Sequence, residues 1–131
     1  MSPTPQPTLP DAELEVLACL SRLSETTARV LREAMESYRP MAHGSMVTLL
    51  ERLRAKGLVE RRRGPVGKAF LYRPTRKAHS TFRNVIKTRL HRVFGGNRLA
   101  LFSTLLDTAP PSEEELEQLQ ELLDELKRKR T

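Results

Sequence analysis

Apolar positions recur at helical spacing in six stretches, and one stretch in the middle of the chain alternates instead. Leu14, Leu17 and Leu20 form a stripe with Val16 and Leu23 beside it, which predicts a helix over 11–23 with Asp11 as its N-cap. Thr27 is placed to cap a second helix over 28–37, turning Val30, Leu31 and Ala34 or Met35 inward; Arg39-Pro40 closes it, because the residue before proline avoids the helical region. A third helix, 43–56, carries Met46, Leu49, Leu50 and Leu53 on one face and stops at Lys56-Gly57. The period then changes to two. Runs at 58–63 and 68–73 read as short strands joined by Gly64-Pro65-Val66-Gly67. Alternation sends Arg61 and Arg63 to one face of this hairpin and Arg62 to the other, with Phe70 and Tyr72 on the side that packs against the helices.

Beyond the hairpin the spacing is helical again. Phe82, Val85, Ile86, Leu90, Val93 and Phe94 stripe a helix over 79–94, broken by Gly95-Gly96. Leu99, Phe102, Leu105 and Leu106 stripe a shorter one over 97–106. After Ala109-Pro110-Pro111, Ser112 and Glu115 have the spacing of a capping box, and Leu116, Leu119, Leu123 and Leu126 follow at three- and four-residue intervals. Three such helices make little core alone, and a stripe on each calls for a partner. We therefore expect a homodimer built through Phe82, Val85, Ile86, Leu90, Val93, Phe94, Leu99, Phe102, Leu105, Leu106, Leu116, Leu119 and Leu123. The expected organisation is a disordered leader over 1–8, rich in Pro, Ser and Thr, a first domain over 9–75 and a helical dimerisation region over 76–131.

Charge sharpens the picture because it is not spread evenly. The chain has 131 residues and a formal net charge of +7. Residues 1–50 carry four basic and six acidic side chains, whereas residues 51–77 carry ten basic and two acidic, a net of +8 on the third helix and hairpin. A patch of that size on one supersecondary unit points to a polyanion. Cys19 is the only cysteine, so no internal disulfide can form and a reducing, cytoplasmic setting is expected. No apolar run is long enough for a membrane span. Cys19, His43, His79 and His91 have no metal-ligand spacing, and neither a phosphate loop nor a nucleophile motif is present. We expect no enzyme, no metal and no cofactor.

Two helices setting up a third, followed by a basic hairpin, form the pattern of a winged helix-turn-helix. The expected fold is mostly α with that small β-hairpin. In such domains the front of the last helix enters the major groove, which favours short or hydrogen-bonding side chains there. His43, Gly44, Ser45, Val47 and Thr48 lie on that leading segment, and Arg52 follows one turn on. The candidate DNA-binding set is these six with Thr27 and the hairpin cations Arg61, Arg62, Arg63 and Lys68. The partner would be double-stranded operator DNA. A protein-interaction adaptor built on the same fold, or a non-specific nucleic-acid binder, is the alternative.

The chain also resembles a known family. Leu9-x-Asp11-Ala12-Glu13-Leu14-Glu15-Val16-Leu17, Thr27-x-Arg29, Arg39-Pro40-x-Ala42, Met46-Val47-Thr48-x-Leu50-x-Arg52-Leu53-x-x-Lys56-Gly57-Leu58-Val59, Tyr72-Arg73-Pro74 and Leu90-x-x-Val93-Phe94-Gly95-Gly96 are similar to the penicillinase and methicillin-resistance repressors of BlaI/MecI type, which include copper-responsive relatives. The resemblance implies a dimeric winged-helix repressor on an inverted repeat, with an inducing protease or sensor system as a further partner. His43-Gly44-Ser45 departs from the family's usual residues there, so the operator need not be the family's usual one. Leu101-Phe102-Ser103 stands where some members carry a cleaved Asn-Phe bond, and the copper-responsive relatives' C-terminal paired cysteines are absent.

Overall fold

The computed structural model describes residues 9–65 and 67–131. The expected leader and Val66 at the hairpin tip lie outside the described residues. The element order is α1 (Asp11–Leu23), α2 (Ala28–Ala34), α3 (His43–Ala55), β1 (Val59–Arg63), β2 (Phe70–Pro74), α4 (Arg76–Phe94), α5 (Arg98–Thr108) and α6 (Glu113–Arg130). The chain divides into two compact units, one reaching to Thr88 and the other running from Arg89 to Thr131.

The first unit is built on the stripes of α1 and α3. Leu14, Val16, Leu17, Cys19 and Leu20 from α1 and Met46, Leu50 and Leu53 from α3 are buried together with Leu31, Met35, Leu58 and Tyr72. Leu49 only half joins them. Val30 does not point inward as expected; it is exposed, because α2 stops at Ala34 and turns only Ala28, Leu31 and the following Met35 toward the core. The cap of α1 is also different: Pro10 occupies the N-cap without a side-chain bond, and Asp11 is the first helical residue, where its charge favours the helix dipole. Thr27 does cap α2, its hydroxyl accepting from the Val30 amide at 3.2 Å.

Gly57 ends α3 with φ of +76°, a conformation costly for any other residue type, while the Leu58 amide bonds back to the Leu53 carbonyl at 3.0 Å. The strands pair antiparallel with Arg61 opposite Tyr72 and Arg63 opposite Phe70. Thr26, in the turn between α1 and α2, exchanges both backbone hydrogen bonds with Tyr72, at 3.0 and 2.8 Å, and ties the hairpin to the helices. A buried ion pair links the far ends of α1 and α3, the Lys56 ammonium donating to Glu13, whose side chain is only 3% exposed.

Helix α4 starts three residues before the apolar stripe suggests. The reason is Thr75, whose hydroxyl accepts from the Ala78 amide and donates to the Gly57 carbonyl, fastening the helix start to the end of α3. Ala78 and Thr81 are buried, and Phe82, Val85 and Ile86 pack half-buried against the first unit's core. These three expected dimer residues thus find apolar partners inside one chain, and the compact first unit extends past residue 75 for that reason.

The second unit holds the end of α4, α5 and α6. Asn97 caps α5 by accepting from the Ala100 amide at 3.0 Å, and the Ser112–Glu115 capping box is present in both directions. Three glutamates open α6 and Lys127 to Arg130 close it, matching the helix dipole at both ends. From Arg89 to Thr131 no side chain is buried. Leu99 is 77% exposed and Phe102 54%, and Leu105, Leu106, Leu116, Leu119, Leu123 and Val93 are exposed as well. Leu90 and Phe94 are half-buried.

Candidate nucleic-acid interface

The front of α3 is a face of small and polar groups. His43, Gly44, Ser45, Thr48 and Arg52 are all exposed, and Val47 is half-buried against the core. Gly44, Ser45, Thr48 and Arg52 line a cavity of about 620 Å³, bounded on its other side by Ala12, Arg39 and Met41. A Cβ added to Gly44 would meet nothing within 4 Å, so the protein's own packing does not require glycine there. Thr48 donates its hydroxyl proton to the Gly44 carbonyl at 2.9 Å, which leaves the oxygen an acceptor toward any partner. The N-cap, Ala42, makes no side-chain bond.

Arg39 is held beside this face by Glu15, donating from Nη2 at 2.6 Å, and the pairing raises its already high pKa. Its Nε is buried without a hydrogen-bond partner among the described residues. Thr27 differs in role from the front of α3, since its hydroxyl is engaged as the α2 cap.

The hairpin places its cations as alternation predicts. The Arg61 guanidinium lies 4.0 Å and that of Arg63 5.2 Å from the centroid of Phe70, while Arg62 leaves from the opposite face. Tyr72 is buried, and Phe70 is half-buried with its ring 6.4 Å from that of Tyr72 and inclined to it at 68°. The arginines differ in what already holds them. Arg62 donates from Nε and Nη2 to both oxygens of Glu25, at 3.1 and 2.8 Å. This fork depresses the Glu25 carboxyl and raises the Arg62 pKa. Arg61 donates to Oε1 of Glu51 at 2.7 Å, and Arg54 spans both Glu51 oxygens at 2.9 Å. Arg63 and Lys68 are exposed with no carboxylate partner among the described residues.

Sequence reasoning missed Glu25, Glu51 and Arg39. Glu51 sits one residue before Arg52 in a helix full of charge, and nothing in its spacing marks the Arg61 it meets ten residues on. Glu25 lies in the short turn between α1 and α2, where no spacing marks it, and only the fold brings it to Arg62. Among the described residues no group of His, Cys, Asp and Glu could hold a metal, and no helix is long and apolar enough to cross a membrane.

Solved structures share this architecture at low identity. A mutant of MarR from E. coli, complexed with operator DNA, is 22% identical, covers 88% of this chain and 74% of its own, and has a TM-score of 0.53. YusO from Bacillus subtilis is 21% identical, with 92% and 75% covered and a TM-score of 0.55. FabT from Streptococcus pneumoniae, in complex with DNA, is 20% identical, with 90% and 73% covered and a TM-score of 0.53. Comparison with curated protein sequences gives no match. Helix-turn-helix, basic hairpin and exposed α3 together define a winged-helix DNA-binding regulator of transcription. Within that class, the chain belongs to the penicillinase repressor family, whose profile matches residues 9–125.

Proposed function

We propose that the protein is a homodimeric repressor that binds an inverted-repeat operator, with α3 in the major groove and the hairpin on the phosphate backbone. The observation that carries this reading is the front of α3: small, polar and exposed, with Arg52 one turn on and the cationic hairpin joined to the same helix through the Glu51–Arg61 pair. Gly44 lets the helix approach a base edge closely. Thr48, its proton committed to Gly44, accepts from an amino group of adenine or cytosine. Ser45 and His43 read or anchor alongside it, and Arg52, Arg63 and Lys68 neutralise phosphates. Thr27, Arg61 and Arg62 belong to the same set, although each first serves the fold through the partner named above.

The second unit supports the dimer. Its apolar side chains cannot be shielded within one short helical segment, and an exposed patch of this extent favours a partner of matching chemistry. A second copy supplies that chemistry by symmetry and sets two copies of α3 on half-sites about 34 Å apart. Repression follows if the operator overlaps a promoter, and the setting is cytoplasmic. Release by a protease or sensor system would use a route other than an Asn-Phe cut or paired cysteines.

The test is selection of duplexes from a random-sequence pool, followed by titration of the selected duplex and its shuffled counterpart. A preference on the order of 10³ with two protomers per duplex supports the reading. Equal affinity for both defeats it.

A further inference from the structure

Two carboxylates from outside the hairpin hold two arginines of β1, and they do so differently. Glu25 occupies the whole fork of Arg62 and anchors it to the α1–α2 turn, next to the Thr26–Tyr72 backbone pair. Glu51 takes a single N–H of Arg61, while the guanidinium plane is stacked on Phe70. Arg61 therefore keeps free donors in one fixed direction. Glu51 also holds Arg54 and lies on α3, between Leu50 and Arg52, so the reading helix and the hairpin cation share one carboxylate.

We propose that Glu51 is a specificity-determining positioning residue: it holds Arg61 so that this cation engages phosphate well only when α3 is seated on its operator, and poorly on any other duplex. The inference rests on the DNA-binding reading above. Its physical basis is competition. Arg61 and Glu51 are each about a third exposed, at 27% and 36%, so their pair is weak enough for phosphate to displace yet strong enough to tax every encounter. On random DNA no geometry rewards the held orientation, and the carboxylate only opposes binding. On the operator the same orientation is already the bound one, which offsets the repulsion by sparing the ordering of a long side chain.

The experiment measures affinity of the full chain for a duplex selected from a random pool and for its shuffled counterpart, over a range of salt. Variants are Glu51→Gln, Arg61→Ala, the double variant, and Arg61→Lys. Glu51→Gln should tighten binding to the shuffled duplex about two- to fivefold, steepen its log–log salt slope by about one, and leave operator affinity within about twofold, so that the preference falls. In the Arg61→Ala background the Glu51 substitution should have no effect on the preference. Arg61→Lys, which keeps the charge without the stacked planar fork, should lower the preference by itself. An equal change on both duplexes, or the same Glu51→Gln effect with Arg61 absent, would show Glu51 to be only a stray negative charge and overturn the proposal. So would a wild-type preference in Arg61→Lys. If the wild-type protein prefers no sequence at all, the repressor reading falls and this inference with it.

Discussion

At the scale of single residues, the structure separates side chains that hold the fold from those that face outward, and the family pattern contains both. Glu13 and Lys56 both carry the resemblance, 43 residues apart in the chain, and they meet in a buried ion pair. Glu13→Ala should lower stability by about 1–3 kcal/mol, less than for a fully buried pair because the Lys56 side chain is 26% exposed and can turn to water. Denaturant unfolding measures this directly. Thr48 and Ser45 are the opposite kind, exposed and remote from the core. Thr48→Ala should leave the melting temperature nearly unchanged and shift the base selected at one position of each half-site, by about 1–3 kcal/mol of discrimination, read from selection with each protein. Spacing alone placed Met46, Leu50 and Leu53 inside and the short polar residues outside. It could not pair Glu13 with Lys56, because two charges distant in sequence leave no periodic trace.

At the scale of elements, boundaries followed caps that periodicity does not see. The stripe of α4 begins near Phe82, but the helix begins at Arg76 because Thr75 binds both its own first turn and the Gly57 carbonyl. The same limit explains α2, where Val30 was counted as inward and lies outside. The hairpin was more legible, since alternation assigned Arg61 and Arg63 to one face and Arg62 to the other. Its carboxylate partners give it a pH dependence. The Glu25 pKa is depressed by Arg62, so the pair contributes stability above the ordinary carboxylate range and loses it as pH falls through the lower folded value. Glu25→Gln should therefore lower the melting temperature slightly at neutral pH and converge with the wild type below about pH 4, which flattens the acid limb of the profile. Arg63 has no such partner among the described residues. Arg63→Ala should weaken operator and shuffled duplex alike and reduce the salt slope by about one, measured by polarisation titration.

At the scale of the whole molecule, the two units differ in how they bury apolar surface. The first closes a core within one chain; the second leaves Leu99, Phe102, Leu105 and the leucines of α6 exposed. The sequence showed these stripes clearly, yet could not tell that Phe82, Val85 and Ile86 also pack half-buried against the first unit's core. If a second copy covers the rest, unfolding of the second unit should depend on protein concentration, with the midpoint rising by several degrees per hundredfold increase. Phe102→Asp or Leu119→Asp should abolish that dependence and yield a monomer by sedimentation, while the first unit keeps its fold and a weakened affinity for a single half-site.

The open space over Gly44 has a consequence for how such a protein changes over time. A Cβ can be added there without meeting any neighbour, and leaving glycine adds up to about 1 kcal/mol of helix propensity. If α3 reads the operator as proposed, one codon can then alter the address the protein recognises without putting its folding at risk. Operator and regulator can drift together in single steps, and a library randomised at this position is the natural starting point for redirecting the protein to a new sequence.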